Sequence, residues 1–302
     1  MNDLVYNRQF TPNYGVPVKI NEHIHRITCQ NAGPLTFFGT NTFLLGSNEL
    51  AIIDPGPMNT AHLEALIAAI AGRPVKCILI SHTHVDHSPL SRSLAEKTGA
   101  PIWGAPKHHR APAFAEMPEN PLEASADTDY EPDMVLEDGD EIIVDNIRVE
   151  TLATPGHTIN HLSFALPDSD IIFAADHVMA WSTTGVAPPD GSMTHYMNSL
   201  EKFIERDHCR FLPAHGGEVL DPPKYLRALK SHRQEREGAI LKEINSGTGK
   251  IHEMVTSIYT DVDKKLHGAA ALNVLAHLED LVSRDLVICE GPLSLSSQYK
   301  LR

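Results

Sequence analysis

The sequence predicts an α/β protein in which two β-rich halves carry helices on their outer sides, followed by a small C-terminal domain of three helices and a hairpin. Three observations support this. Within residues 1–223, each half runs through short β-type segments, one or two helical segments and a further strand. From residue 224 onward the apolar residues recur at helical spacing until two short β-type segments end the chain. The charge divides at the same place: residues 1–223 carry 13 Lys and Arg against 29 Asp and Glu, whereas residues 224–302 carry 12 against 10. The boundary is therefore expected at Pro222-Pro223, giving domains 1–223 and 224–302.

The elements follow in order. "VPVKI", "HIHRITC", "TFFGTNTFLLG" and "LAIIDPG" read as strands joined by hairpin-like Gly, Asn and Pro connections. "MNTAHLEALIAAIAG" places Leu63, Leu66, Ile67 and Ile70 at helical spacing and stops at Gly72, a helix with a C-terminal glycine. "VKCILI" is a buried strand, "SPLSRSLAEKTG" a helix and "PIWG" a short strand. Residues 108–134 are acidic and proline-rich and read as a long loop or flap, with His108 and His109 solvated on it. The β pattern returns from residue 135 through "HLSFALP" and "DIIFAAD"; "EDGDEI" reads as a hairpin turn around Gly139 and not as a metal loop. A helix in "THYMNSLEKFIERD" and a strand in "CRFLPAHGG" complete the large domain. In the tail, three helices and the hairpin of "LVICEG" with "SSQYKLR" make a winged-helix pattern.

No stretch approaches the roughly 18 uninterrupted apolar residues of a membrane span, and "MNDLVYNRQF" is not an export signal, so a soluble cytoplasmic protein is expected. Cys29, Cys77, Cys209 and Cys289 stand far apart without a CxxC pair, which predicts reduced core residues and no thiolate zinc site.

The chemistry concentrates in "SHTHVDHSPL", which follows directly on a buried strand. His82 and His84, two residues apart, cannot share one face of a helix, so the cluster belongs on a loop at a strand end. Imidazole and carboxylate donors suit zinc, iron or manganese, and four of them in six residues exceed what one tetrahedral ion takes from so short a loop. Two ions are expected. His157 in "TPGHT", Asp176 in "FAADH" and His215 in "PAHGG" each end an apolar β run and can converge on the same rim. Asp176, the isolated acid among them, is the natural bridge between two cations, and a water held there becomes a nucleophile as its pKa falls toward about 7.

"HTHVDH" with downstream "PGH", "AD" and "AHG" resembles the metallo-β-lactamase superfamily, an αββα sandwich of two mixed sheets flanked by helices. The resemblance implies that His82, His84 and His157 hold one metal, that Asp86, His87 and His215 hold the second, that Asp176 bridges, and that Asp86 is the catalytic residue orienting the attacking hydroxide. "NAGPLTFFGTNTFLLG", "DHVMAWSTTGVAPPDG" and "HRQERE" further resemble the branch with a C-terminal winged helix, the lactamase-β-like proteins, which are hydrolases and in some cases endoribonucleases. Ala175 and Ala214 stand where glycine is common in the superfamily, before Asp176 and His215.

The expected function is hydrolysis by two divalent ions, zinc first and manganese or iron as alternatives, of a small ester, thioester or lactone or of single-stranded RNA. An iron-dependent oxidoreductase of the same fold, such as a persulfide dioxygenase, uses the same donors and is the second reading. A winged-helix DNA-binding regulator is the third. Its basis is weak, because the tail's near-neutral balance is far from that of a domain gripping duplex phosphates and favours packing, dimerisation or a wall for the active-site cleft. Thr40, Asn41, Ser182, Thr183, Thr184 and Tyr196 are candidates to line the substrate pocket, or alternatively to cap turns. Asp54 either orients a ligand or caps a turn, and His161 and His177 read as structural neighbours of the ligands.

Overall fold

A computed structural model describes residues 4–117, 125–206, 209–260 and 262–302. Strands β1 (Val18–Lys19), β2 (Ile24–Thr28), β3 (Asn41–Leu45), β4 (Leu50–Ile53), β5 (Val75–Ile80), β6 (Ile102–Gly104) and β7 (Met134–Val135) form a seven-stranded sheet in that order. It is antiparallel from β1 to β4 and parallel from β4 to β7. A second sheet, ordered β12-β11-β10-β9-β8, contains β8 (Glu141–Val144), β9 (Ile147–Ala153), β10 (Leu162–Leu166), β11 (Ile171–Ala175) and β12 (Arg210–Pro213). Only its β11–β12 pair is parallel.

The period-2 alternation of the strands decides the layering. Phe43, Leu45, Ala51, Ile53, Cys77 and Leu79 face Phe164, Leu166, Ile171 and Phe173 in a core between the two sheets. The intervening residues, Leu44, Ile52, Ile78 and Ile80, pack outward on Leu66, Ile70, Leu90 and Leu94 of α1 (Thr60–Ile70) and α2 (Leu90–Thr98). On the far side, Ile172 and Ala174 pack on Tyr196, Leu200 and Phe203 of α3 (Met193–Ile204). The order of layers is helix, sheet, sheet, helix.

The Asn59 side chain caps α1 by accepting from His62 N–H, and the helix ends in left-handed backbone at Ala71 before Gly72. The turn at Gly139 differs from expectation. It connects β7 of one sheet to β8 of the other, and the hairpin turn is Asp145-Asn146 between β8 and β9, both at positive φ.

The tail contains α4 (Pro222–Asn245), α5 (Ile251–Ile258), α6 (His267–Ser283) and the antiparallel pair β13 (Val287–Glu290) and β14 (Gln298–Leu301). The boundary proposed at 223/224 falls at the start of α4. That helix is shared: Tyr225, Leu226 and Leu229 join the α3 core, whereas Ile240 and Ile244 join the core of the tail. Ala111, Phe114 and Met117, at the start of the acidic flap, pack into the tail core as well. No helix among the described residues is long and apolar enough to cross a membrane. Cys29, Cys77 and Cys209 are buried, Cys289 is half-buried, and none of the four is in a disulfide.

Candidate metal centre

Residues Ser81–His87 follow β5 at the edge of the inter-sheet core, and the loop is pinned on every side. Ser81 C=O accepts from Leu162 N–H of the second sheet at 2.7 Å, and Thr83 C=O accepts from Asp127 N–H at 2.7 Å. Val85 N–H donates to Ser125 C=O at 2.7 Å, and Ser88 Oγ donates to Asp127 at 2.7 Å. The returning end of the flap thus clamps the cluster.

Three more strand ends deliver the remaining donors. His157 follows β9 and Gly156, whose α-carbon lies so near Tyr196 that an added Cβ would come within 2.3 Å of the Tyr196 Cα; only glycine permits that approach. Asp176 follows β11 through Ala175, which takes a left-handed φ of 42° at a bulge in the β11–β12 pairing. His215 follows β12.

All five imidazoles have one ring nitrogen tied outward. His82 Nδ1 lies 3.0 Å from Ser81 Oγ, and His84 Nε2 lies 3.3 Å from Asp190 Oδ2. His87 Nδ1 lies 3.1 Å from Asp54 Oδ2, His157 Nδ1 2.7 Å from Gly185 C=O, and His215 Nδ1 3.2 Å from Gly39 C=O. The other nitrogens converge in two nests. In the first, His84 Nδ1 stands 3.2 Å from His82 Nε2 and 3.1 Å from His157 Nε2. In the second, Asp86 Oδ2 stands 3.2 Å from His215 Nε2 and 3.4 Å from His87 Nε2. Asp176 touches both, with Oδ1 3.3 Å from His215 Nε2 and Oδ2 3.6 Å from His157 Nε2 and 3.7 Å from His87 Nε2.

These residues fit metal ions on two counts. Four donors about 2.0–2.1 Å from a tetrahedral ion lie roughly 3.3 Å from one another, which is the spacing within each nest. Moreover, His87 Nε2, His215 Nε2 and Asp176 Oδ1 are buried yet have no hydrogen-bond partner, a costly condition that cations relieve. The nests differ electrically. In the first nest, burial reinforced by neighbouring imidazoles holds His82 well below the usual histidine pKa and His157 at about 4, so these two offer neutral nitrogens, whereas at His84 burial is outweighed by Asp190, which raises it. In the second, burial is outweighed by Asp86 and Asp176, which raise His87 and His215, while those imidazoles hold both carboxyls well below their ordinary range.

A cavity of about 160 Å³ opens on the nests. It is lined by the polar His84, Asp86, His157, Asp176 and Asp190, by an apolar wall of Pro34, Leu35, Met179, Trp181 and Ala187, and by Ser182 and Thr183. Trp181 is held by stacking on Phe37, centroids 4.7 Å apart. A larger cavity, about 440 Å³, lies behind the Met179–Trp181 segment against Tyr6 and Tyr225, but no candidate ligand lines it.

The sequence-predicted pocket residues divide accordingly. Ser182 and Thr183 line the cavity. Thr40, Asn41, Thr184 and Tyr196 do not: all four are buried behind it, and their polar groups serve the fold. Asn41 Nδ2 donates to the carbonyls of Pro213 and Gly216, and Thr40 Oγ1 accepts from Asn31. Tyr196 stacks on His177 with centroids 4.5 Å apart. Asp54 orients His87. His161 supports the first nest from behind, accepting from Asp176 N–H at 3.3 Å. His108 is not solvated, since its side chain is 10% exposed and faces Asp190 at 3.9 Å; His109 is exposed. Asp190 is the residue the sequence reading missed. It lies in a proline-rich loop 106 positions from His84, with no ligand spacing to mark it.

Comparison with known proteins bears on the fold and the family. A family model described as the Metallo-beta-lactamase superfamily matches residues 35–215, and one described as the Beta-lactamase associated winged helix domain matches residues 251–292. The chain is 28% identical over 283 residues to a Caenorhabditis elegans beta-lactamase-like protein 2 homolog, covering 89% of this chain and 87% of that one. It is 30% identical over 230 residues to an atrochrysone carboxyl ACP thioesterase of Aspergillus fumigatus, covering 74% and 65% respectively. Among solved structures, a metallo-beta-lactamase family protein from Thermus thermophilus superposes with a TM-score of 0.75 at 24% identity, covering 94% of this chain and all of that one.

Proposed function

Because the chain belongs to the metallo-β-lactamase superfamily, we propose that it is a dinuclear metal-dependent hydrolase, zinc being the metal, acting on small acyl esters or thioesters. The observation that carries the choice of substrate is the cavity itself. Among the described residues its lining includes Asp86, Asp176 and Asp190 and no Lys or Arg, which gives a polyphosphate chain such as RNA no fixed cation, while Leu35, Met179 and Trp181 suit an acyl group. The name of the thioesterase relative points the same way.

Divalent cations in the two nests would act as Lewis acids and lower the pKa of a water toward neutrality. The chain's own part is positional. Asp54, Asp190 and the Gly39 and Gly185 carbonyls fix the imidazoles, so little reorganisation is needed when substrate arrives. Asp86, the most exposed of the carboxylates in the nests at 21%, faces the cavity and can accept a hydrogen bond from the attacking water and so orient it. The apolar wall excludes bulk water and sets the acyl carbon against the nests.

An iron-dependent oxidoreductase remains the second reading, since the donor set suits iron equally well. One measurement separates the readings: metal content of untagged protein by mass spectrometry, together with turnover of an acyl thioester, an aryl ester, a lactone, single-stranded RNA and a β-lactam. Two zinc ions per chain with ester or thioester turnover is the expected result. One ion at most in excess zinc, or cleavage of RNA alone, overturns the proposal.

A further inference from the structure

The motif "HRQERE" on α4 lies outside the metal centre, and its second residue is unusual. Arg233 is 3% exposed, yet among the described residues no carboxylate pairs with it. A guanidinium buried in this way needs compensation from dipoles and rings. Its Nη2 donates to the Thr184 carbonyl at 2.5 Å, Nη1 reaches Asn273 Oδ1 at 3.5 Å, and its central carbon lies 4.8 Å from the centroid of the Tyr196 ring.

Those contacts lead back to the bridging position. Thr184 Oγ1 donates toward the main-chain carbonyl of Asp176, 2.6 Å away, with the His177 carbonyl at 3.0 Å. Tyr196, under the guanidinium, stacks on His177 and donates to the His177 carbonyl at 3.3 Å. Arg233 therefore grips, through one carbonyl and one ring, the segment that turns out of β11 at the left-handed Ala175 and presents Asp176 to both nests. A second tie runs parallel to it: Ser192 donates its hydroxyl to Glu279 of α6 at 3.3 Å and its N–H to the Gly156 carbonyl, next to His157, at 3.0 Å.

We infer that Arg233 is a positioning residue for the metal centre, setting the Asp176 carboxylate through Thr184, so that the winged-helix domain completes the binding site of the large domain. The inference rests on the reading of Asp176 as a metal ligand. It explains why α4 is continuous across the two cores and why a buried cation is tolerated beside them: the helix supplies the charge where the carbonyls of the turn gather.

The test is metal affinity of the full-length protein, measured against a chromophoric chelator, with the visible spectrum of the cobalt-substituted protein as a second readout. Wild type and Asp176→Ala establish first that two ions bind and that Asp176 holds them; if wild type binds fewer than two, the metal-centre reading itself fails. Given two ions, Arg233→Met and Thr184→Val are each expected to weaken the more loosely held ion about tenfold or more and to alter the cobalt spectrum. Thr184→Ser, which keeps the hydroxyl, should restore both. The double variant Arg233→Met/Thr184→Val should be little worse than either single, because both cut one chain of contacts. If Arg233→Met and Thr184→Val lower the melting temperature but leave both affinities within about twofold and the spectrum unchanged, Arg233 only packs the domains together and the inference is overturned. Should Arg233→Met fail to fold, the Thr184 pair decides alone.

Discussion

Asp54 Oδ2 lies 3.1 Å from His87 Nδ1, and the same carboxylate accepts the backbone N–H of Ser81 at 2.8 Å and its hydroxyl at 2.6 Å. One buried acid thereby fixes both the start of the histidine loop and the ring orientation of a ligand four positions beyond Thr83. With Nδ1 engaged, His87 directs Nε2 at Asp86 and Asp176. Asp54→Ala should therefore weaken the ion of the second nest by about 10–100-fold and destabilise the chain by roughly 1–3 kcal/mol through the unpaired Ser81 and His87 groups. Metal titration combined with urea denaturation measures both, and an unchanged second affinity would show that His87 needs no external orientation.

Asp86 has two tasks in the proposed mechanism, ligand in the second nest and hydrogen-bond acceptor that orients the attacking water. Asp86→Asn keeps its shape but removes the charge, and turnover should fall on the order of 10²-fold or more. Activity of the wild type should rise along a limb near pH 7 as the activated water deprotonates. An Asn variant with full metal content and unchanged turnover would remove Asp86 from both roles.

Features specified by local chemistry were legible in the sequence. The alternation of Cys77, Ile78, Leu79 and Ile80 marks a strand buried on both faces, and the donors of "HTHVDH" sit within one loop, so their convergence needs no long-range information. What resisted reading was set by tertiary pairing. Asp190 acquires its role only because the loop before α3 folds against His84, and Thr40 and Asn41 look like pocket residues until β3 pairs them with the turn after β12. "EDGDEI" reads as a hairpin turn in the sequence because a glycine turn between two sheets has the same composition as one within a sheet. His108 shows the same limit: its burial depends on the loop that carries Asp190, which lies far away in the sequence; residues 118–124 of the expected flap lie outside the described residues.

Acid should destabilise the protein through two buried histidines outside the nests, His62 of α1 and His277 of α6. Burial alone holds His62 at about 4, and burial together with nearby Arg233 holds His277 at about 3, against 6.5 when unfolded. The folded state binds these protons less readily than the unfolded state, so the stability is intact above pH 6.5 and is lost as pH falls toward 4. At pH 5 each should have cost about 2 kcal/mol relative to pH 7.5. Because His82 and His157 titrate over the same range in metal-free protein, the contribution of each ring is read as a difference: urea midpoints at the two pH values for wild type against His62→Gln and His277→Gln, each of which should flatten the dependence by about 2 kcal/mol. A variant whose pH dependence matches that of wild type would mean that the ring it lacks is solvated in the native state.

Ala175 supplies the last test, because it stands where the backbone asks for glycine. Its φ of 42° costs an L-residue on the order of 1–2 kcal/mol, whereas its neighbour Ala174 belongs to the same strand and is not among the positive-φ residues. Both methyl groups are buried, at 5% and 0% exposure, so truncating either loses about the same burial, and both variants gain the same freedom when unfolded. The difference between Ala174→Gly and Ala175→Gly therefore isolates the strain. Ala174→Gly should destabilise by roughly 1–2 kcal/mol, and Ala175→Gly should be less destabilising by at least about 1 kcal/mol, close to neutral. Chemical denaturation of the two variants side by side gives the comparison. Metal affinity of Ala175→Gly should stay within about twofold of wild type, since Thr184 still ties the Asp176 carbonyl and the turn keeps its path. Equal destabilisation by the two substitutions would mean that the left-handed turn before Asp176 stores no strain, and that glycine at this position elsewhere in the superfamily answers some other need.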